Sequence, residues 1–187
     1  MPPITPYSAD LDNREPVAAI RASVARIRSL IKDWRPDQFA RSYAPGKWDA
    51  RQILIHLAHS EIAFGYRVRM ALASPGYTAQ SFDQDRWMSI EAGATGSGEA
   101  GGSGGSGGSR GSSGLGQAGG LSGRDVLDAF LGVAAMNVAL FASLSEADRG
   151  TALSHPDYGA QTVDWIIHQT AGHQIHHLKQ LEQFAER

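Results

Sequence analysis

The sequence of 187 residues predicts an all-α protein built as a four-helix bundle. Two observations support this fold class. Four segments carry apolar residues at steps of three and four, which is the spacing of a helix with one buried face. No segment shows a strand-like alternation of apolar and polar residues over a useful length. We therefore expect one domain over residues 1–187.

The first two predicted helices are recognised by their apolar positions, and the second also by its N-terminal cap. The first helix lies in REPVAAIRASVARIRSLIKDW, and its apolar positions are Val17, Ile20, Val24, Ile27, Ile31 and Trp34. The second helix follows Asp49, a good N-cap, and Gln52 completes a capping box. Its apolar stripe runs from Ile53 to Ala71, and the turn SPGY ends it.

The third and fourth predicted helices also begin at capping residues. Ser122 and Asp125 can cap the third helix, and Thr162 is the predicted N-cap of the fourth, after the turn HPDYG. The third helix carries Asn137 in its apolar seam, where it either lines a pocket or fixes the helix register. A short additional helix is predicted in SFDQDRWMSIEA.

A Gly/Ser-rich tract at about residues 93–123 separates the second and third helices. Its centre, GGSGGSGGS, has the composition of a flexible linker. About 30 such residues span roughly 30 Å, which is close to the length of a 20-residue helix. The linker is therefore long enough for the second and third helices to run parallel. Whether the tract is natural or engineered stays open.

Composition and charge exclude several classes of protein. The net charge of −2 leaves no electrostatic footprint for nucleic acid. The absence of cysteine excludes disulfides, thiolate metal ligands and a protein thiol nucleophile. We find no signal peptide, and no apolar run approaches membrane-spanning length. We expect a cytoplasmic protein that acts on a small molecule, with no nucleic-acid or membrane partner; a homodimer is an open alternative.

The predicted fourth helix contains the histidine-rich stretch TAGHQIHHLKQLEQF. On a helical wheel His177 lies roughly 40° and His173 roughly 80° from the centre of the apolar stripe. His176 and His168 each lie roughly 140° away and are expected to face outward. Two histidines at i and i+4 can reach one cation. The alternative is a pair at the edge of the core that bonds to water or backbone.

A third inward-facing histidine would strengthen the metal interpretation, because catalytic metals commonly take three protein ligands. On the second helix His56 is the better candidate, whereas His59 is expected at the surface. Antiparallel packing of the second and fourth helices would bring His56 level with His177. His155 falls in the turn before the fourth helix, roughly 16 Å or more along the axis from His173, and is excluded as a ligand.

Two motifs and one turn carry a family resemblance that covers nearly the whole chain outside the Gly/Ser tract. They are WDARQILIHLAHSE from Trp48 to Glu61, HQIHHLKQL from His173, and HPDYG. Together they resemble the DinB-like (DinB/YfiT-like) family of metal-binding four-helix bundles. The resemblance implies an up-down-down-up bundle with a long crossover between helices two and three. It also implies that His56, His173 and His177 hold a divalent metal ion, commonly nickel or zinc.

The resemblance also implies a function. Three imidazoles leave a coordination position open, and relatives include enzymes that use low-molecular-weight thiols. We therefore expect a metal-dependent thiol S-transferase that activates a small thiol cosubstrate. A hydrolase that uses metal-bound hydroxide is the alternative enzyme. A non-enzymatic metal-binding bundle, with a fourth ligand from His59 or His176, or an engineered scaffold is the other alternative.

The sequence identifies no general acid or base, and the catalytic residues stay unknown. Glu61 points roughly 140° away from His56 around the second helix. Gln52 and Gln169 each lie one turn before a predicted ligand and are candidate hydrogen-bond partners of those imidazoles. Ordinary surface glutamines are the alternative at both positions.

Overall fold

The computed structural model describes residues 2–94 and 121–185. Its elements in chain order are α1 (Ser8–Leu11), α2 (Pro16–Ile31), α3 (Pro36–Phe39), α4 (Ala50–Ala73), α5 (Gln84–Ala94), α6 (Gly123–Ser143), α7 (Glu146–Arg149), β1 (Ala152–His155), β2 (Gly159–Thr162) and α8 (Val163–Ala185). The helices α2, α4, α6 and α8 pack as a bundle. This confirms the predicted all-α, four-helix fold.

Contacts between helix ends define the direction of each helix. Arg51, at the start of α4, donates a hydrogen bond to the carbonyl of Leu121, just before α6, at 2.9 Å. The rings of Trp34, just after α2, and Phe184, at the end of α8, lie 6.3 Å apart. The start of α4 faces the C-terminal half of α8. The bundle therefore runs up-down-down-up, with α4 parallel to α6 and antiparallel to α8.

The predicted capping residues start three of these helices. The Asp49 carboxylate accepts the Gln52 amide hydrogen at 2.7 Å, and the Gln52 side chain accepts the Asp49 amide hydrogen at 2.9 Å. Ser122 and Asp125 form the equivalent box on α6. The Thr162 hydroxyl accepts the amide hydrogen at the third position of α8 at 3.2 Å. Each cap satisfies backbone donors that the first helical turn leaves unpaired.

Fully buried apolar side chains from all four helices form the core. Each such side chain contributes roughly 1.5–3 kcal/mol through burial, so the core holds the helices in a defined register. The largest of them are Phe130, Phe141, Ile20, Ile27, Ile31, Ile53, Leu54, Leu57, Leu127, Ile167 and Leu181.

A buried polar network crosses the bundle at the middle of α4. The Asn137 amide donates to both the carbonyl and the carboxylate of Glu61 at 2.8 Å. Gln174 donates to the other oxygen of that carboxylate at 2.5 Å, and Arg69 donates to the Asn137 oxygen at 2.8 Å. Burial raises the pKa of Glu61. These bonds show that Asn137 fixes the register of α4 and α6, the second of its two predicted roles.

A small antiparallel hairpin contradicts the expectation that the chain has no strands. Strands β1 and β2 pair from Ala152 with Thr162 to His155 with Gly159. Each strand has four residues, so alternation was too short to be recognised in the sequence. Gly159 has a φ of +70°, a left-handed conformation that glycine adopts without strain. The hairpin places His155 at the end of β1, beside the bundle.

Helix α6 contradicts the expectation that no apolar run approaches membrane-spanning length. By length and composition it is apolar enough to cross a membrane. A helix in the core of a bundle can meet the same criteria. Two of its phenylalanines, Phe130 and Phe141, are fully buried against the other helices.

The predicted linker at about residues 93–123 lies mostly outside the described residues. Residues 93 and 94 are the last two of α5, and α6 begins at Gly123. Helix α5 confirms the short additional helix that SFDQDRWMSIEA predicted.

Candidate metal centre

Three histidines from two helices converge inside the bundle. The Nε2 atom of His173 lies 2.9 Å from Nε2 of His56 and 3.1 Å from Nε2 of His177. One ligand atom from each of the three residues lies within 4.8 Å of the others. The residues are 3%, 4% and 6% exposed for His56, His173 and His177. The structure thus brings together the three residues that the sequence singled out.

The spacing of these nitrogens fits a common ion. Zinc binds imidazole nitrogen at 2.0–2.1 Å, so two nitrogens of a tetrahedral site lie roughly 3.3 Å apart. The two observed distances are within a few tenths of an ångström of that value. Without a cation, three neutral imidazoles that face one another cannot all satisfy their Nε2 atoms, because each ring carries one N–H and one lone pair. The cluster is suited to a divalent cation.

The protonation state of the cluster also suits a metal. Burial lowers the pKa of His56 to about 3, helped by the charge of neighbouring imidazoles. Burial lowers the pKa of His177 to about 4 and that of His173 well below its usual value. All three rings are therefore neutral at pH 7, which is the form that binds a metal ion.

A chain of hydrogen bonds orients His177. Its Nδ1–H donates to the Gln180 side-chain oxygen at 2.8 Å, which leaves the Nε2 lone pair facing the centre. The Gln180 amide donates to Nε2 of His176 at 3.4 Å, and Nδ1 of His176 donates to Asp10 at 3.3 Å. Gln180 is not among the residues predicted from the sequence, although its spacing of three from His177 on one helix is a usable signal.

Aromatic side chains surround the imidazoles. The ring centroid of Trp48 lies 5.0 Å from that of His56. Those of Tyr7 and Phe64 lie 5.2 Å and 5.8 Å from that of His173. Such a shell limits solvent access and lowers the local dielectric around a bound ion.

Tyr7 reaches the centre because the N-terminal segment packs closely on α8. Trp165 donates a hydrogen bond to the carbonyl of Ile4 at 2.9 Å. Gly172 allows this approach, since a Cβ there would meet the Tyr7 carbonyl oxygen at 2.4 Å. The segment carries no periodic pattern, so its contact with the histidine cluster is not predictable from the sequence.

Two cavities adjoin the histidine cluster. The first, of about 180 Å³, is lined by residues that include His56, His173, Arg67, His155 and Gln169. The second, of about 290 Å³, is lined by residues that include His177, Gln180, Lys47, Trp48 and Tyr43. Tyr7 and Gln84 line both cavities. The cluster therefore lies where a small molecule can reach it.

The prediction that His59 lies at the surface is wrong. His59 is buried, and its Nε2 lies 3.3 Å from a carboxylate oxygen of Glu91. The ring of Trp87 lies 5.2 Å away. Both partners belong to α5. This helix covers a face of α4 that would be exposed in a bundle of only four helices. His168 is buried as well, and its Nδ1–H donates to the Asp164 carbonyl at 2.9 Å.

The remaining candidates occupy other positions. His155 is not part of the histidine cluster, as predicted, although it lines the first cavity. Gln52 forms the α4 cap rather than supporting a ligand, whereas Gln169 is buried and lines the first cavity. Within the described ranges only three histidine, cysteine or acidic residues converge at this point, so neither His59 nor His176 supplies a fourth ligand.

Comparisons with known proteins agree with this architecture. Residues 19–181 match the family model of the DinB superfamily. A protein of Oceanobacillus iheyensis, named "putative metal-dependent hydrolase", is 28% identical over 76 residues. That match covers 41% of this chain and 44% of the relative, so it spans less than half of the relative's length.

A solved structure shares the fold across the whole chain. YfiT from Bacillus subtilis, described as "a probable metal-dependent hydrolase with an unusual four-helix bundle topology", superposes with a TM-score of 0.70. The sequence identity is 16%, and the match covers 100% of this chain and 91% of YfiT. Together with the family match over most of its length, this fold identifies the chain as a member of the DinB superfamily.

Proposed function

We propose that this protein is a metal-dependent hydrolase that binds a divalent cation through His56, His173 and His177. The convergence of the three buried Nε2 atoms carries the proposal. Because the described residues supply no fourth ligand, a coordination position stays available for water or substrate. The adjoining cavities provide space for a small-molecule substrate.

A divalent cation in this site would supply Lewis acidity, polarising a substrate carbonyl and lowering the pKa of water. The chain's own residues prepare the site for it. Burial keeps the three imidazoles neutral, and Gln180 holds His177 with its Nε2 lone pair inward. The rings of Trp48, Tyr7 and Phe64 restrict bulk water around the cluster.

Hydrolysis is favoured over other metal chemistry by the names of the related proteins. Both the Oceanobacillus relative and YfiT are described as metal-dependent hydrolases. Nickel and zinc are the proposed ions because the resemblance to the DinB-like family implies them. Imidazole ligands suit both, as they suit copper and iron.

Thiol S-transfer is the second candidate. Two cavities adjoin the same histidine cluster, which would give a thiol and an electrophile a cavity each. The chain contains no cysteine, so the thiol would come from a low-molecular-weight cosubstrate. A metal ion lowers the pKa of a bound thiol and so favours the nucleophilic thiolate.

Metal content tests the ligand assignment. Untagged protein purified without nickel resin should contain about one equivalent of metal by elemental analysis. His56→Ala, His173→Ala and His177→Ala should each lose it, because two imidazoles leave the ion poorly held. His59→Ala and His176→Ala are the matched controls and should retain it. Loss of metal from His176→Ala together with retention in His173→Ala would contradict the assignment.

Activity assays then separate the two reactions. A panel of small esters and amides is incubated with the metal-loaded protein, with and without a chelator. Parallel reactions pair a generic electrophile with low-molecular-weight thiols. Chelator-sensitive hydrolysis that needs no thiol supports the hydrolase, whereas product formed only with thiol supports the transferase. A rate that the chelator does not change contradicts both.

A further inference from the structure

A buried arginine lies in the wall of the first cavity without a carboxylate partner. Arg67, on α4, is 5% exposed and lines the cavity that also contains His56 and His173. It donates one hydrogen bond, to the carbonyl of Gln80 at 2.6 Å. No acidic side chain in the described ranges forms a salt bridge with it, although the charge of Asp157 acts on it from a longer distance. The guanidinium also lies 5.8 Å from the centroid of the Phe64 ring. A buried guanidinium without a close carboxylate is costly, so it indicates that the cavity can accept an anion.

Three further side chains that line the first cavity each carry a buried polar atom without a hydrogen-bond partner. These atoms are Oγ of Ser60, Nε2 of His155 and Oε1 of Gln169, and none has a hydrogen bond within the described part of the chain. Buried polar atoms in folded proteins are almost always paired. Three such atoms on residues that line one cavity therefore point to a ligand with several polar groups.

The tautomer of His155 follows from its neighbour. The backbone N–H of Asp157 donates to Nδ1 of His155 at 3.1 Å. In the neutral ring the proton then resides on Nε2, which becomes a hydrogen-bond donor. Arg67, His155 and the Ser60 hydroxyl are thus three donors in the lining of one cavity, and Gln169 offers an acceptor.

One charged group of the opposite sign also lines this cavity. The side chain of Asp157 is 58% exposed and accepts a hydrogen bond from the Ser81 hydroxyl at 2.8 Å. Its charge is therefore largely screened by water, whereas the charge of Arg67 acts in a buried environment. Of these two charged side chains, only Arg67 is buried.

We propose that Arg67, together with Ser60 and His155, binds a carboxylate group of the substrate, so that the substrates of this protein are small carboxylic acids or their derivatives. The inference rests on the proposed function, because it takes the histidine cluster in the same cavity to be the reaction centre. A cavity of about 150 Å³ holds benzene, so the cavity of about 180 Å³ suits a ligand slightly larger than benzene.

Binding of benzoate and benzamide tests the proposal, because the two probes share size and shape and differ in charge. Isothermal titration calorimetry is done on the full chain as purified and after chelation of metal. Benzoate should bind to both forms, and benzamide should bind at least roughly tenfold more weakly. No benzoate binding, or equal affinity for the two probes, would overturn the proposal.

Substitution of Arg67 provides a second test of the carboxylate subsite. Arg67→Met should weaken benzoate binding by roughly tenfold or more, whereas Arg28→Met, which removes an exposed arginine of α2, should leave it unchanged. If chelation abolishes benzoate binding while Arg67→Met leaves it intact, the carboxylate binds the metal and the subsite is refuted.

A third variant covers the case in which Arg67→Met does not fold. Gln169→Glu is isosteric and adds a negative charge to the lining of the same cavity, so it should weaken benzoate binding by roughly tenfold, and by a larger factor than it changes benzamide binding. Unchanged benzoate binding would contradict the proposal. Metal content is measured on every sample, so absence of metal, which refutes the metal centre, is distinguished from absence of the carboxylate subsite.

Discussion

Gln180 determines how one of the three imidazoles is presented to the centre. Because its oxygen accepts a hydrogen bond from Nδ1–H of His177, the Nε2 lone pair faces inward. From Gln180 the hydrogen-bond chain continues through His176 to the carboxylate of Asp10. Such a chain makes Nε2 of His177 more basic. The hydrogen-bond partners of a ligand therefore affect affinity although they do not touch the ion.

Gln180→Ala should weaken metal binding by roughly 10–100-fold, the usual effect of removing a hydrogen-bond partner from a metal-binding histidine. The affinity is measured by competition with a chelator of known affinity at constant pH. Gln183→Ala is the matched control, since Gln183 is exposed on the same helix and should leave the affinity unchanged. Equal affinities of the two variants would show that Gln180 does not orient His177.

At the scale of single residues, the sequence predicted the side chains that lie in the bundle seam. Helical periodicity places His56, His173 and His177 on inward faces, because the apolar stripe of each helix marks the side that packs into the core. The same reasoning failed for His59, since periodicity does not show that α5 covers α4 on the outside. It also missed Tyr7, which reaches the centre from a segment without a periodic pattern.

At the scale of elements, α4 and α6 approach most closely where Gly65 faces Asn137. A Cβ on Gly65 would lie 2.2 Å from the Asn137 oxygen, which already accepts a hydrogen bond from Arg69. Asn137 cannot move away without losing its two bonds to Glu61. The glycine is therefore required by packing between two helices, not by helix formation.

Gly65→Ala should lower the free energy of unfolding by about 1–3 kcal/mol, because the added methyl group forces the helices apart or breaks the network. Chemical denaturation monitored by circular dichroism measures the change. Gly132→Ala, on the exposed side of α6 with nothing within 4 Å of the new Cβ, should instead stabilise by about 0.5–1 kcal/mol. A neutral Gly65→Ala would show that the contact at Asn137 is readily relieved.

Element starts were predictable because caps are local. Asp49 with Gln52 and Ser122 with Asp125 form the boxes that their spacing indicated, since a cap depends on only four consecutive residues. The β-hairpin was not predictable in this way. Its strands are short and are supported by tertiary contacts, such as the hydrogen bond between Ala79 and Ser154 at 2.8 Å.

At the scale of the whole molecule, the up-down-down-up order makes the centre possible. It makes α4 antiparallel to α8, so that the start of one helix meets the C-terminal half of the other. The resemblance to known bundles supplied this order, and periodicity alone did not. A metal ion held by these helices would bind the folded chain and not the unfolded one.

The protein should therefore become more stable as free metal increases. At about 100 times the dissociation constant the gain is about 2.7 kcal/mol, or roughly 5–10 °C in Tm for a chain of this size. Differential scanning calorimetry with graded zinc or nickel measures the shift. His173→Ala should show no comparable shift, and a similar shift in that variant would mean that the ion binds elsewhere.

The separation of His56 and His173 by 117 positions has a kinetic consequence. The chain must close a very long loop before those rings meet, and the entropy lost in doing so has to be offset by the packing of the hydrophobic core. We therefore expect an ion to bind only after the rate-limiting step of folding. The bound ion should leave the refolding rate unchanged and lower the unfolding rate.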